Sequence, residues 1–110
     1  MISLVEQSRP ALIEICRRFK VRRLYIFGSA VSDDFKPDSS DLDFLVDLAD
    51  REPTQDYADR YLGLADSLEV LFRRPVDLLT EQSLRNPYLR REVQVTRELV
   101  YEDSRTEAAV

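Results

Sequence analysis

Leu24–Val46 reads LYIFGSAVSDDFKPDSSDLDFLV, and its two apolar ends decide the fold. Leu24-Tyr25-Ile26-Phe27 is a short apolar run stopped by Gly28. It predicts a strand covered on both faces. Leu42 to Leu48 predicts a second strand by its alternation: Leu42, Phe44, Val46 and Leu48 on one face, Asp43, Leu45 and Asp47 on the other, with Asp41 in phase with the latter. Between them, Gly28 to Val31 can open a short helix after a tight turn. Asp33 to Ser40, polar and interrupted by Pro37, predicts a loop.

Working outward, Met1 to Lys20 predicts helix. Leu12, Ile15, Cys16 and Phe19 fall at helical spacing, and the main helix is expected to start near Ser8 with Pro10 in its first turn. Thr54 to Phe72 carries the clearest helical pattern, in Tyr57, Tyr61, Leu64, Ala65, Leu68, Leu71 and Phe72. Gly63 inside it marks a close packing point. Pro75 to Leu79 predicts a third strand, Thr80 to Leu84 a turn or short helix, and Pro87 to about Val100 a last helix. The expected order is helix, strand, strand, helix, strand, helix. The fold class is α/β (α+β): a small mixed sheet with helices packed on one face. A single domain is expected over 1–103, with a frayed tail at 104–110.

Composition narrows the chemistry. The chain has 110 residues, no histidine and one cysteine, Cys16. That excludes Ser-His-Asp and Cys-His catalysis, an internal disulfide, and His-ligated or Cys-rich metal sites. What remains is carboxylates, hydroxyls, backbone amides and hard cations. One modest core can form, so an enzyme of this size has an open site or borrows a wall from a partner. The net charge of −5 is unevenly spread: +4 over residues 1–25, −9 over 26–70 and 0 over 71–110. The acidic middle reads as solvated loops, or in part as acids awaiting bound cations. Overall acidity argues against direct nucleic-acid binding. No apolar run approaches a membrane span, and Met1–Lys20 carries Glu6 and Glu14 and lacks a signal-peptide core, so a cytoplasmic protein is expected.

Three signals carry chemistry. Asp41 and Asp43, at i and i+2 on a strand, share a face about 7 Å apart, a spacing from which two carboxylates can bridge Mg²⁺. They are equally compatible with a solvated strand face. Gly28-Ser29, at the end of a buried strand, offers backbone N–H groups and a hydroxyl to a phosphate. It can also be an ordinary strand-to-helix turn. Asp77, between Val76 and Leu78-Leu79, is a carboxylate in an otherwise apolar strand. It needs a partner or a metal, unless it sits on the open face of an edge strand. Asp47 lies too far along the strand for the same ion. Tyr57 and Tyr61 read as core rather than nucleobase stackers. Arg73-Arg74 and Arg90-Arg91 read as solvated or ion-paired groups, or as part of a partner surface.

Together the signals have a recognisable spacing: Gly28-Ser29, eleven residues, Asp41-Leu42-Asp43, a long helix, then a strand bearing Asp77. The arrangement resembles the DNA polymerase β-like nucleotidyltransferase superfamily, and the size resembles its minimal nucleotidyltransferase (MNT) branch. Pro37–Val46 and Arg85–Glu92 are similar to stretches of bacterial and archaeal MNT proteins. The resemblance implies transfer of a nucleoside monophosphate, AMP from ATP or another NTP, to a hydroxyl. It implies Gly28 and Ser29 on the terminal phosphates and Asp41, Asp43 and Asp77 as ligands of two Mg²⁺, Asp77 also helping to deprotonate the acceptor. It further implies an antitoxin role, AMP going to a tyrosine of a HEPN ribonuclease partner. One departure is visible: Ser32 and Asp33 stand where the family often has Arg-Gly, and Lys36 is a candidate substitute charge. Two alternatives follow: an MNT-fold antitoxin that neutralises its partner by binding alone, and a catalytic subunit acting on a small molecule.

Overall fold

The computed structural model describes residues 3–28, 41–48 and 55–103. The first helical stretch is split at Ser8 into α1 (Ser3–Gln7) and α2 (Arg9–Arg18), with proline in the first turn of α2 as expected. Lys20 turns the chain in the left-handed region, at φ 57°, into β1 (Val21–Phe27). β2 runs over Leu42–Leu48, the bounds that its alternation predicts. α3 (Gln55–Phe72) follows, and Arg73 ends it in the left-handed region at φ 56°. Then come β3 (Val76–Thr80), a 3₁₀ turn (Glu81–Ser83), α4 (Pro87–Thr96) and β4 (Glu98–Glu102).

The described strands form one mixed sheet in the order β3-β2-β1-β4. β1 pairs antiparallel with both β2 and β4, and β2 pairs parallel with β3. A parallel neighbour needs a crossover, and α3 is that crossover. It lays a stripe four residues apart (Arg60, Leu64, Leu68, Phe72) against the sheet. The Phe44 and Phe72 rings stack at 5.9 Å. With Leu12 and Cys16 of α2, these residues cover the face made by Leu24, Ile26, Leu42, Phe44, Val46 and Leu48. Arg60, in the same stripe, is ion-paired with Asp56 at 3.1 Å. Gly63 is the close packing point expected: a Cβ there would stand 2.6 Å from the Phe19 ring.

Two expectations are corrected. The helices are not all on one face: Val93 of α4 and Leu84 pack with Phe27 and Leu45 on the opposite side. The last helix also stops at Thr96, because Arg97 turns extended, and Glu98–Glu102 become β4. Leu99, Val100 and Tyr101 suit a strand, and β1 offers an open edge to pair with.

The outer edge of β3 is blunted by side chains. Glu69 accepts from the Val76 N–H at 3.2 Å, the Tyr61 hydroxyl donates to the Leu78 carbonyl, and Ser83 Oγ accepts from the Thr80 N–H at 3.1 Å. Such caps prevent a stray strand from adding to the sheet. Among the described residues no helix is long and apolar enough to cross a membrane. The expected tail, 104–110, lies outside the described residues.

Candidate active site

The site assembles at one end of the two central strands and their parallel neighbour. β1 ends at Gly28, which adopts φ +73°. Only glycine is at ease there, for two reasons. The backbone is left-handed, and a Cβ would lie 2.5 Å from Asp43 Oδ2. The strand pairing causes the close approach, since Phe27, next to Gly28, is opposite Asp43.

On its other side β2 meets β3 with Asp43 opposite Asp77. Adjacent strands lie about 4.8 Å apart, so two side chains on one face at the same level must interact. The two carboxyl groups therefore repel each other when both are ionised. Asp43 accordingly has its pKa pushed up from 3.8 to about 6. Partial burial is the largest cause, followed by the negative charge and closeness of the Asp77 carboxyl group. Asp41 and Glu92 add smaller repulsions. Asp41 itself is exposed, just before β2, and Asp77 is exposed on the edge strand.

The structure therefore brings Asp43, Asp77 and Gly28 together, with Asp41 two residues before Asp43 at the entry to β2. Ser29 lies outside the described residues, as do Ser32, Asp33 and Lys36. Sequence reasoning missed Glu92. The only signal for it lay in the Arg85–Glu92 stretch, where the neighbouring apolar residue Val93 anchors α4 to the second sheet face. Asp47 is apart from this group and faces Arg22 at 4.0 Å. Tyr57 and Tyr61 pack against the main core, as expected. They also line a cavity of about 600 Å³ with Ala58, Leu62, Thr80, Gln82 and Ser83, and none of the three aspartates lines it.

Among the described residues no group of three acidic, histidine or cysteine side chains is arranged as a finished metal cage. The donor set still fits a hard divalent cation. It is all carboxylate, and Asp43 stands beside Asp77, whose charge raises the Asp43 pKa. A cation between them would relieve their mutual repulsion.

Residues 10–100 match the profile of the nucleotidyltransferase domain family. The protein adenylyltransferase MntA of Thermococcus cleftensis is 35% identical over 88 residues, which is 80% of this chain and 81% of the relative. A toxin–antitoxin crystal structure with AMP-PNP contains a chain of the same fold. Its TM-score is 0.63 and its identity 21%, over 92% of this chain and 78% of that one. A chain in the complex of tri-AMPylated Shewanella oneidensis HEPN toxin with MNT antitoxin gives a TM-score of 0.61 and 20% identity, over 96% of this chain and 78% of that one. At those identities the two solved structures speak for the fold, a mixed sheet with helices packed on it. The family profile spans the strands that carry Gly28, Asp43 and Asp77, and on that match the chain belongs to the nucleotidyltransferase domain family.

Proposed function

We propose that this nucleotidyltransferase is a Mg²⁺-dependent protein adenylyltransferase of the cytoplasm, which moves AMP from ATP to a tyrosine hydroxyl of a HEPN-type toxin and so acts as an antitoxin. The observation that carries the reading is the Asp43–Asp77 carboxyl pair beside the left-handed Gly28. The adenylyltransferase relative and the solved structures holding AMP-PNP or an AMPylated toxin support the choice of donor and acceptor.

In this reading Asp41, Asp43 and Asp77 hold two Mg²⁺ ions, which when bound neutralise the triphosphate and make the acceptor hydroxyl more acidic. In the same reading the Gly28 amide and the Ser29 hydroxyl hold the terminal phosphates. The acceptor oxygen forms a bond to the α-phosphorus, the bond to the bridging oxygen breaks, and pyrophosphate leaves. Asp77, the outermost carboxylate of the pair, takes the hydroxyl proton and passes it to solvent. A chain of 110 residues has little surface to wall off an acceptor, which suits a macromolecular one that brings its own wall.

A second reading has its own observation. Ser32-Asp33 replaces the Arg-Gly common in the resembling family and adds negative charge near the expected triphosphate. A chain that neutralises its partner by binding alone would tolerate this. Intact-mass measurement of a HEPN-type toxin, after incubation with the chain, ATP and Mg²⁺, separates the two. Transfer adds whole AMP units, and Asp41→Asn prevents it. Unchanged mass with neutralisation retained by Asp41→Asn establishes the binding reading.

A further inference from the structure

β3 is an edge strand, yet it carries one acid of the candidate site. Among the described residues its only strand neighbour is β2, in a parallel pairing. Parallel pairs are slightly weaker per residue than antiparallel ones, and backbone held by few contacts opens most readily. β2, which carries Asp43, is paired on both sides. Asp77 needs support that Asp43 does not.

That support comes from α3. Glu69 Oε2 accepts from the Val76 N–H at 3.2 Å, and the Tyr61 hydroxyl donates to the Leu78 carbonyl. Val76 and Leu78 are the residues immediately before and after Asp77. The earlier helix residue holds the later strand residue, as in a helix that runs back along the strand. On the inner side the Leu42 N–H donates to the Pro75 carbonyl at 3.2 Å. Asp77 is thus bracketed on its outer edge and paired with Asp43 on its inner edge.

Protecting an edge from stray strands can be done anywhere along it. The third edge bond, from the Thr80 N–H to Ser83 Oγ at 3.1 Å, is made by the local turn, beyond Asp77. The two that flank Asp77 come instead from the crossover helix that brings β3 beside β2. Register is what they fix. Successive strand residues face opposite ways, so a slip of one residue would turn the Asp77 carboxyl toward the face that α3 covers and set Val76 or Leu78 opposite Asp43. Glu69 is exposed, and the Tyr61 ring packs on the main core with its hydroxyl reaching β3.

We propose that Glu69 and Tyr61 are positioning residues for Asp77, holding the edge strand in the register at which the Asp77 carboxylate stands opposite Asp43 and both can ligate one divalent cation. The inference rests on the adenylyl-transfer reading above and adds the residues that set the geometry of its third acid. Groups that orient a metal ligand in this way contribute about 10–100-fold to metal affinity or activity.

The test titrates Mn²⁺ into the full-length chain saturated with the α,β-methylene analogue of ATP, whose scissile link is carbon. Free Mn²⁺ is read by electron paramagnetic resonance against a blank of the nucleotide alone. The variants are Tyr61→Phe, Glu69→Ala, Glu69→Gln and, as a control, Ser83→Ala, which removes the edge bond at Thr80. Thermal melts without metal run in parallel. The expected result is Mn²⁺ affinity weaker by about tenfold or more in Tyr61→Phe and Glu69→Ala. Glu69→Gln should restore the affinity, because an amide oxygen still accepts from the Val76 N–H. Ser83→Ala should lose stability and keep its Mn²⁺. Unchanged affinity in Tyr61→Phe or in Glu69→Ala overturns the role of that residue and leaves the adenylyl-transfer reading intact. An equal loss in Ser83→Ala makes strand stability the cause, and an equal loss in Glu69→Gln makes the Glu69 charge the cause; either overturns the inference. An unmodified chain that takes up no more Mn²⁺ than the blank overturns the adenylyl-transfer reading and this inference with it.

Discussion

Asp43 of β2 and Asp77 of β3 stand opposite each other in a parallel pair, and the charge of Asp77 helps to raise the pKa of Asp43. This strains the metal-free protein at neutral pH. Asp43 has a pKa of about 6 against 3.8 ordinarily, so the folded state holds its proton more tightly than the unfolded chain does. The contribution is then most favourable below the ordinary carboxylate value. It is lost as pH rises through about 6, and is flat above.

The first prediction is that the chelator-treated protein loses stability between about pH 4 and pH 6, and that Asp43→Asn removes that slope. At pH 7 the variant should be more stable by about 1 kcal/mol, a figure discounted for solvent screening. Urea midpoints measured across the pH range in EDTA check this. A variant with the same pH slope as the unmodified chain contradicts the assignment of that slope to Asp43.

The second prediction concerns Gly28. Alanine there meets both a left-handed backbone and Asp43 Oδ2 at 2.5 Å. The expected cost is about 1–3 kcal/mol, together with weakened Mg-ATP binding because Asp43 must move aside. Thermal melts and nucleotide titrations read the two effects separately. Full binding in the alanine variant would mean that Gly28 serves the turn alone.

The third prediction is a gain. Arg73 ends α3 at φ 56° and is exposed. A side chain in that region costs about 1–2 kcal/mol, and glycine does not incur it. Arg73→Gly should therefore stabilise by about 1 kcal/mol, offset in part by unfolded-state entropy. The Arg73 N–H bond to the Glu69 carbonyl is kept. Urea unfolding measures the gain, and nucleotide binding should be unchanged.

Local pattern carried much of the fold and stopped where contacts became long-range. Strict alternation bounds Leu42–Leu48, and the four-residue spacing of Leu64, Leu68 and Phe72 bounds α3. β4 was not legible. Five residues give little periodicity, and Leu99-Val100-Tyr101 becomes a strand only because β1 is there to pair with. The face covered by α4 was hidden for the same reason: Val93 has no local signal for which side of the sheet it meets. At the site, Asp41 and Asp43 follow from i, i+2 geometry. Their meeting with Asp77 depends on a parallel register set by the whole length of α3. Glu92 arrives from a different element, α4, so no spacing announces it.

The last prediction separates chemistry from stability within the acid group. Asp41 is exposed, at the entry to β2, whereas Asp43 is partly buried and pressed against Asp77. Replacing an exposed residue away from any cap or core contact changes stability by no more than about 0.5 kcal/mol. Asp41→Asn should therefore melt like the unmodified chain in EDTA, while Asp43→Asn melts higher at pH 7. Both should lose Mg-dependent ATP binding, because carboxylate oxygens are the ligands a hard cation needs and an amide supplies neither the charge nor the second anionic oxygen. Adding Mg²⁺ with ATP should raise the melting temperature of the unmodified chain and of neither variant, since a ligand that binds only the folded state stabilises it by mass action. Differential scanning fluorimetry with and without Mg-ATP gives all of these comparisons in one experiment. An Asp41→Asn protein that still gains stability from Mg-ATP would remove Asp41 from the metal site and leave the Asp43–Asp77 pair as its whole carboxylate set.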